Sequence, residues 1–272
     1  MTVEQSPLAS TLASLRKPED ASRTHHRLDL PADWMQGRAL FGGLLAALAV
    51  QGLRGQGIDA PLRSSMVQFI GPAQAEGLEL TTRVLRAGRS VTHACAELHH
   101  GEQVQTLVNL AFGPDREGRV MPAQEPLPTV PPPDECWLFP YIEGRTPQFT
   151  QYFEMCFSKG GKPFSSSDER ELSGWLRLRR TGGVDGDSLA LMLFDTFPSP
   201  MLPCMPSPAP ISSVTWNAQW LCDPRESPAD GWWYYQSLLR QNDGGFAHDD
   251  RRLWDPAGRL VAMGSQAVAV FT

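Results

Sequence analysis

The chain has 272 residues, a formal net charge of -6 and 41% hydrophobic residues. This length can bury a large core in one or two domains, and the acidic balance argues against a protein that binds the nucleic-acid backbone. We expect a cytoplasmic protein, because no apolar run reaches the length of a membrane span and the N-terminus lacks a signal-peptide pattern. The spacing of the five cysteines predicts buried thiols, not zinc ligands or a disulfide framework.

The first half of the chain predicts a buried helix followed by four strands. Residues 1–20 predict a capping helix or a loose arm, and residues 23–30 form a polar, strand-like run. Gly42 and Gly43 interrupt the chain before a stretch of Leu, Ala and Val that ends near Gly55. A helix that is apolar on all sides is buried. Glycine-containing turns then separate four predicted strands, at 62–70, 78–85, 91–99 and 103–112.

The second half repeats this pattern after a proline-rich segment. Residues 113–148 lack periodicity and predict a linker over the surface. The later predicted elements are strands at 149–157 and 172–180, a helix at 188–197, a proline-rich loop at 198–210, and strands at 212–221, 232–239, 246–254 and 260–271. The repeat predicts an N-terminal domain at 1–112, the linker at 113–148 and a C-terminal domain at 149–272.

The helix of the second half carries the most informative residue. It is predicted to begin at Asp187 as its cap and to end before Pro198, and almost every position between them is apolar. Asp195 lies within this apolar stretch. A carboxylate in such surroundings must be paired, protonated or used chemically. A purely structural role, in which Asp195 reaches the surface or pairs with an arginine, is the alternative.

Four stretches resemble the TesB-like acyl-CoA thioesterase II family: GRALFGGLLAALAV, LMLFDTF, SSVTWNAQW and the closing GGFAHDDRRLWDPAGRLVAMGSQAVAVF. The resemblance implies an α+β double hotdog, in which two antiparallel sheets each wrap around a central helix. It also implies hydrolysis of acyl-CoA to a free acid and coenzyme A. We expect no cofactor, and no metal, because none of the histidines is placed as a zinc ligand.

The same resemblance implies a catalytic set of Asp195, Ser213 and Gln266. Ser212 and Thr215 lie close enough in sequence to supply the hydroxyl instead, because a one-residue slip reverses the face of a strand. Thioester hydrolysis needs a base, groups that position a water molecule, and donors for the carbonyl oxygen. We assign the first two tasks to these side chains, and the third to the helix start at Gly42 and Gly43. Close packing is an alternative use of both glycines.

Other functions remain open at this point. A catalytically silent hotdog protein could bind acyl-CoA or serve as an assembly module, and a hotdog dehydratase would need a histidine–aspartate pair that the sequence does not offer. His25 and His26 are adjacent and point to opposite faces of a strand, which predicts a solvated or structural role. Met192, Met201 and Met205 predict an acyl tunnel, with the 198–210 loop as its lid. The exposed sheet edges predict a homo-oligomer, at least a dimer.

Overall fold

The computed structural model describes residues 7–16, 24–116 and 125–271. Within these residues the helices are α1 Pro7–Arg16, α2 Gly42–Gly55, α3 Gly186–Thr196 and α4 Met201–Cys204. The strands of the first half are β1 His25–Leu28, β2 Met35–Gln36, β3 Ala39–Leu40, β4 Leu62–Phe69, β5 Leu78–Ala87, β6 Thr92–His100 and β7 Gln103–Phe112. Those of the second half are β8 Trp137–Leu138, β9 Phe153–Lys159, β10 Glu171–Leu178, β11 Ile211–Trp220, β12 Trp233–Asp243, β13 Phe246–Trp254 and β14 Leu260–Val270.

Twelve of the described strands form one antiparallel sheet, so the expectation of two separate sheets is wrong. Their order is β1-β5-β6-β7-β4-β11-β14-β13-β12-β10-β9-β8. Strand β4 of the first half pairs with β11 of the second, from Ser64 opposite Gln219 to Gln68 opposite Thr215. Each half therefore covers one otherwise open edge of the other, which satisfies the backbone groups that a free edge would expose.

The predicted internal repeat is visible in the strand order. The four strands after α2 lie in the order β5-β6-β7-β4, and the four after α3 lie in the order β12-β13-β14-β11. In both halves the first strand after the helix returns beside the last one. The two first strands, β4 and β11, are the pair that joins the halves.

The two long apolar helices are buried and pack against each other. Helix α2 also packs on β5, β6 and β7, while α3 packs on β10 and β13. Their crossing is close at Gly43, where an added Cβ atom would lie 2.8 Å from the Cα atom of Met192. Gly42 and Gly43 are thus the first turn of α2 and not a break before it. Only a residue without a side chain fits this crossing.

Helix α3 begins two residues earlier than the sequence predicts. Asp185 is its N-cap, and the Asp185 side chain accepts a hydrogen bond from the Ser188 N–H. Asp187, predicted as the cap, lies in the first turn and is fully buried. Its Oδ2 atom lies 2.8 Å from Nη2 of Arg54, near the end of α2. A buried ion pair therefore joins the two helices.

Part of the predicted linker is built into the sheet. Strand β8 pairs with β9, and the indole N–H of Trp175 donates to the carbonyl of Pro131 at 2.8 Å. The strand predicted from residue 149 begins only at Phe153, because Gln148–Tyr152 form a 3-10 turn. Residues 117–124 of the linker lie outside the described residues, as do 1–6 and 17–20 of the N-terminal arm, whose described part is α1.

No helix among the described residues is both long and apolar enough to span a bilayer.

The Arg54–Asp187 pair gives a test of how the two helices are held together. Asp187→Asn leaves the buried guanidinium of Arg54 without its counter-ion, and removing one partner of a buried pair costs about 3 to 5 kcal/mol. We expect a loss of that size in the free energy of unfolding, measured with urea. Asp115→Asn, in an exposed pair with Arg63, is the matched control and costs less than about 1 kcal/mol. Equal losses in both variants would contradict this assignment.

Candidate active site

Asp195 lies where the last turn of α3 meets the first turn of α2. The backbone N–H of Gly43 interacts with its carboxylate and favours the charged form. A Cβ atom added at Gly42 would lie 2.7 Å from Oδ2 of Asp195, so glycine is needed for this approach. The cap residue of α2 is Phe41, which has no side-chain oxygen to accept from the first turn. The carboxylate of Asp195, from the neighbouring helix α3, supplies the acceptor and the negative charge that favour this helix start.

A buried arginine faces Asp195 from strand β13. Nη1 of Arg251 lies 3.5 Å from Oδ1 of Asp195, and Nε of Arg251 donates to Oδ1 of Asp249 at 2.8 Å. The Arg251 and Asp249 side chains are fully enclosed, whereas 8% of the Asp195 side chain is exposed. Asp249 also accepts from the Ser199 hydroxyl at 3.3 Å. Arg251 is therefore shared unequally, with Asp249 as its closer partner.

These surroundings change the acidity of Asp195. Burial raises the pKa of Asp195 from 3.8 to about 6, while Arg251 and the Gly43 N–H act in the opposite direction. The negative charge of Asp249 contributes to the increase. A carboxylate with a pKa near 6 is ionised at neutral pH, yet it accepts a proton more readily than an ordinary aspartate. Asp195 thus makes the arginine contact that the purely structural role predicted. It also has a pKa suited to a general base.

Ser213 and Gln266 face each other on neighbouring strands. The Gln266 side-chain N–H donates to the Ser213 hydroxyl. A bulge between Ser213 and Thr215 shifts the register, so that Ser213 lies opposite Val268 on the face that also carries Gln266. Ser212 and Thr215 are paired with Ala269 and Ala267, on the other face. The bulge therefore selects Ser213 as the hydroxyl beside Gln266.

Gln266 keeps one polar group free. Its side-chain oxygen is buried and has no hydrogen-bond partner among the described residues. Buried amide groups are normally paired, and rotating the amide by half a turn would only exchange a free acceptor for a free donor. An unpaired amide oxygen beside a half-buried serine is suited to hold a water molecule or a polar part of a ligand.

The structure thus brings the sequence-predicted residues together in two groups. Asp195 lies with Gly42 and Gly43, while Ser213 lies with Gln266. Among the described residues no hydrogen bond joins the two groups directly. Strand register connects them, because Gln266 lies opposite Asp249, the closer partner of Arg251.

Arg251 and Asp249 were not predicted from the sequence as site residues. The signal was present as alternation, since positions 247, 249, 251 and 253 of β13 are all buried. Ala247 and Leu253 mark the inner face, and a period of two places both charged residues on it. Two surface cavities lie elsewhere, one at residues 86–93 and one between Pro133 and Trp232, and neither is lined by Asp195, Ser213 or Gln266.

Structures of other proteins share this fold over nearly the whole chain. A protein from Alicyclobacillus acidocaldarius with a hot dog fold and unknown function is 21% identical, with a TM-score of 0.80, covering 91% of this chain and 92% of its own. The acyl-CoA thioesterase II TesB2 from Mycobacterium marinum is 16% identical, with a TM-score of 0.72, covering 96% and 98%. The tesB protein of Mycobacterium avium subs paratuberculosis is 14% identical, with a TM-score of 0.78, covering 97% and 100%. At these identities the likeness establishes the hotdog fold alone.

Comparison of the sequence identifies the family as well as the fold. No curated protein matches the chain. Residues 30–113 match the acyl-CoA thioesterase N-terminal domain, and residues 133–270 match the acyl-CoA thioesterase C-terminal domain. The two matches take in both buried helices and follow each other in the order found in that family. The chain therefore belongs to the acyl-CoA thioesterase family.

Proposed function

We propose that this protein hydrolyses acyl-CoA thioesters to a free acid and coenzyme A, with Asp195 as the general base. The observation that carries the proposal is the environment of Asp195, which is buried at the N-terminus of α2 and has a pKa raised to about 6. Family membership supports the class of reaction. The small exposed part of the Asp195 side chain leaves a route by which water can reach it.

The reaction needs no covalent enzyme intermediate. The Asp195 carboxylate accepts a proton from a water molecule as the water oxygen bonds to the thioester carbonyl carbon. The carbonyl oxygen becomes negative in the tetrahedral intermediate. When this intermediate collapses, the carbon–sulfur bond breaks and the sulfur takes the proton from Asp195. The products are the free acid and the thiol of coenzyme A, and Asp195 is again ionised.

Ser213 and Gln266 position the attacking water. The free oxygen of Gln266 can accept a hydrogen bond from it, and the Ser213 hydroxyl offers a second contact. Fixing a reactant in this way removes entropy from the barrier before the chemical step. The proposal requires that the water lie between this pair and Asp195, on the inner face that carries Asp249 and Gln266.

Gly42 is the proposed donor for the developing oxyanion. The N–H groups of the first helical turn have no partner within the helix, and that of Gly43 interacts with Asp195. The N–H of Gly42 belongs to the same first turn, and Gly42 lies directly beside Asp195, so a carbonyl oxygen held near the base would be close to this donor. Gly42 and Gly43 then have different tasks, one toward the substrate and one toward the base.

The acyl chain is proposed to lie against the loop that follows α3. A separate apolar cluster forms there, in which Met205 packs with Leu239, Ala247, Val268 and Val270, and Met201 lies at its edge. Val268 is two residues from Gln266 on the same face, so the cluster begins beside the proposed water site. Flexible methionine side chains suit acyl chains of different lengths. Ser199 ties the same loop to Asp249.

Release of free thiol from a panel of acyl-CoAs, followed with a thiol reagent, tests the proposed activity. We expect hydrolysis of at least one member by the purified protein. If no member is hydrolysed but several bind, in calorimetry at matched concentrations, the protein is a catalytically silent acyl-CoA binder and the proposal is wrong.

Substitution of the proposed base and of the water-positioning amide should separate their effects. Asp195→Asn keeps the shape but removes the base, which lowers kcat by about 100-fold to 10,000-fold. Gln266→Ala lowers kcat by about 100-fold through loss of positioning. Gln219→Ala, at an exposed position of β11, is the matched control and leaves kcat unchanged. Full turnover by Asp195→Asn, in a folded protein, would rule out the mechanism.

The raised pKa of Asp195 gives a pH dependence with a defined sign. The base works only when ionised, so kcat/KM should fall as the pH drops through about 6. Arg251 favours the ionised form, and Arg251→Gln should therefore move this acidic limb to higher pH, whereas Arg251→Lys should move it less. Arg252→Gln, which removes a contact to Glu125, is the control. A limb that does not move in Arg251→Gln would contradict this role.

We also expect the protein to be a homo-oligomer, at least a dimer. The sheet ends at the short strands β1 and β8, and Met66 and Met263 are exposed on strands of its middle. Edges and apolar surface of this kind favour contact with a second copy. Light scattering should give a dimer mass or more at micromolar concentration, and a monomer mass at every concentration would contradict the expectation.

A further inference from the structure

Two histidines and a glutamate meet on the outer face of the first half of the sheet. His25 lies on the edge strand β1, Glu79 on β5 and His99 on β6, and these three strands are neighbours. Glu79 is directly opposite His99, and His25 is opposite Thr81, two residues further along β5. Sequence proximity relates His25 only to the adjacent His26, and no histidine was expected to ligate a metal. The folded sheet instead brings it to a histidine 74 positions away in the chain.

The separations within this cluster resemble those of a metal site. Nε2 of His25 lies 3.1 Å from Oε2 of Glu79, and Nδ1 of His99 lies 3.7 Å from the same oxygen. One ligand atom from each residue falls within 4.8 Å of the other two. Ligands about 2.0–2.1 Å from a tetrahedral zinc ion are roughly 3.3 Å apart. His25, which is half exposed on an edge strand, has the freedom to close the remaining gap.

The surroundings of His99 orient its ring. Nε2 of His99 is 2.9 Å from the Thr81 hydroxyl, and Nδ1 is 2.8 Å from the carbonyl of Gly101. A carbonyl oxygen only accepts, so Nδ1–H of His99 donates to Gly101 in this structure, and Nε2 accepts from the Thr81 hydroxyl. Binding of a metal at Nδ1 requires this proton to move to Nε2, which then donates to Thr81, and the contact of Nδ1 with Gly101 is exchanged for a bond to the metal. A ligating histidine commonly donates its second N–H to an oxygen in this way.

We propose that His25, Glu79 and His99 bind one divalent transition-metal ion, with solvent completing the coordination. Two imidazoles and one carboxylate suit zinc and its neighbours in the first transition row. The ion would tie the edge strand β1 to β5 and β6, on which α2 packs. No sulfur is required, and none of the proposed ligands belongs to the proposed catalytic site.

A positive charge on the same face opposes the ion. Arg27 lies directly opposite Glu79 across β1 and β5, and its charge acts on the Glu79 carboxylate. Substitutions at this site can therefore either lower or raise the affinity for the metal ion. Loss of a ligand should weaken binding, whereas removal of the Arg27 charge should strengthen it.

The test is titration of the full chain with Zn²⁺ by calorimetry, using protein made without a polyhistidine tag and stripped with a chelator. We expect one equivalent to bind and to raise the melting temperature. His25→Gln, Glu79→Gln and His99→Gln should each raise the Kd at least about tenfold, the lower limit for loss of even an outer-shell partner. Arg27→Gln should lower the Kd severalfold.

His93→Gln is the matched control, because His93 is exposed on the same strand as His99 but lies outside the cluster. It should leave the Kd unchanged. Co²⁺ substituted for Zn²⁺ should show no thiolate-to-cobalt absorption, which separates this site from the five cysteines. Absence of Zn²⁺ binding would overturn the proposal. So would binding that the three ligand variants do not weaken, or a thiolate band, either of which would reveal an adventitious ion only.

Discussion

The close crossing of α2 and α3 is the constraint on which the rest of the structure depends. Gly43 leaves no room for a side chain against Met192, and Gly42 leaves none against Asp195. The crossing lets the end of one buried helix reach the start of the other. Because the cap residue Phe41 offers no acceptor, the Asp195 carboxylate is the negative group at the start of α2. Helix packing therefore also sets the surroundings of the proposed base.

The buried charges beside this crossing are unequal in number. One enclosed guanidinium, that of Arg251, faces two carboxylates, those of Asp249 and Asp195. The carboxylate that is farther from Arg251 is Asp195, and burial leaves it with a pKa of about 6. Keeping it ionised at neutral pH costs roughly 3 kcal/mol, at about 1.4 kcal/mol for each tenfold change in proton affinity. Because the folded-state pKa is raised, this cost falls away as the pH drops below about 6.

The sequence predicted the element order well and the assembly of the sheet poorly. Apolar runs and glycine turns predict α2, α3 and most strands to within a few residues, because local patterns decide them. The joining of both halves into one sheet depends on pairing between β4 and β11, which are far apart in the chain and carry no local signal of their partner. The N-cap of α3 was misplaced because both Asp185 and Asp187 are good caps, and only packing places Asp187 against Arg54.

The candidate site was likewise predicted only in part from the sequence. The resemblance gave Asp195, Ser213 and Gln266, but the choice of Ser213 over its neighbours rests on a bulge that the sequence did not reveal. Arg251 and Asp249 were overlooked because a charged run is usually a solvated face, although alternation along β13 marks them as inward. His25 and His99 could be related only through strand register.

The proposed role of Asp195 as the general base depends on a pKa that burial raises. Carbon-13 NMR titration of the side-chain carboxyl of Asp195, assigned by loss of its signal in Asp195→Asn, measures that property directly. We expect a pKa near 6 that coincides with the acidic limb of kcat/KM for acyl-CoA hydrolysis. A pKa near the ordinary value of 3.8, or a kinetic limb that does not follow the titration of Asp195, would contradict it.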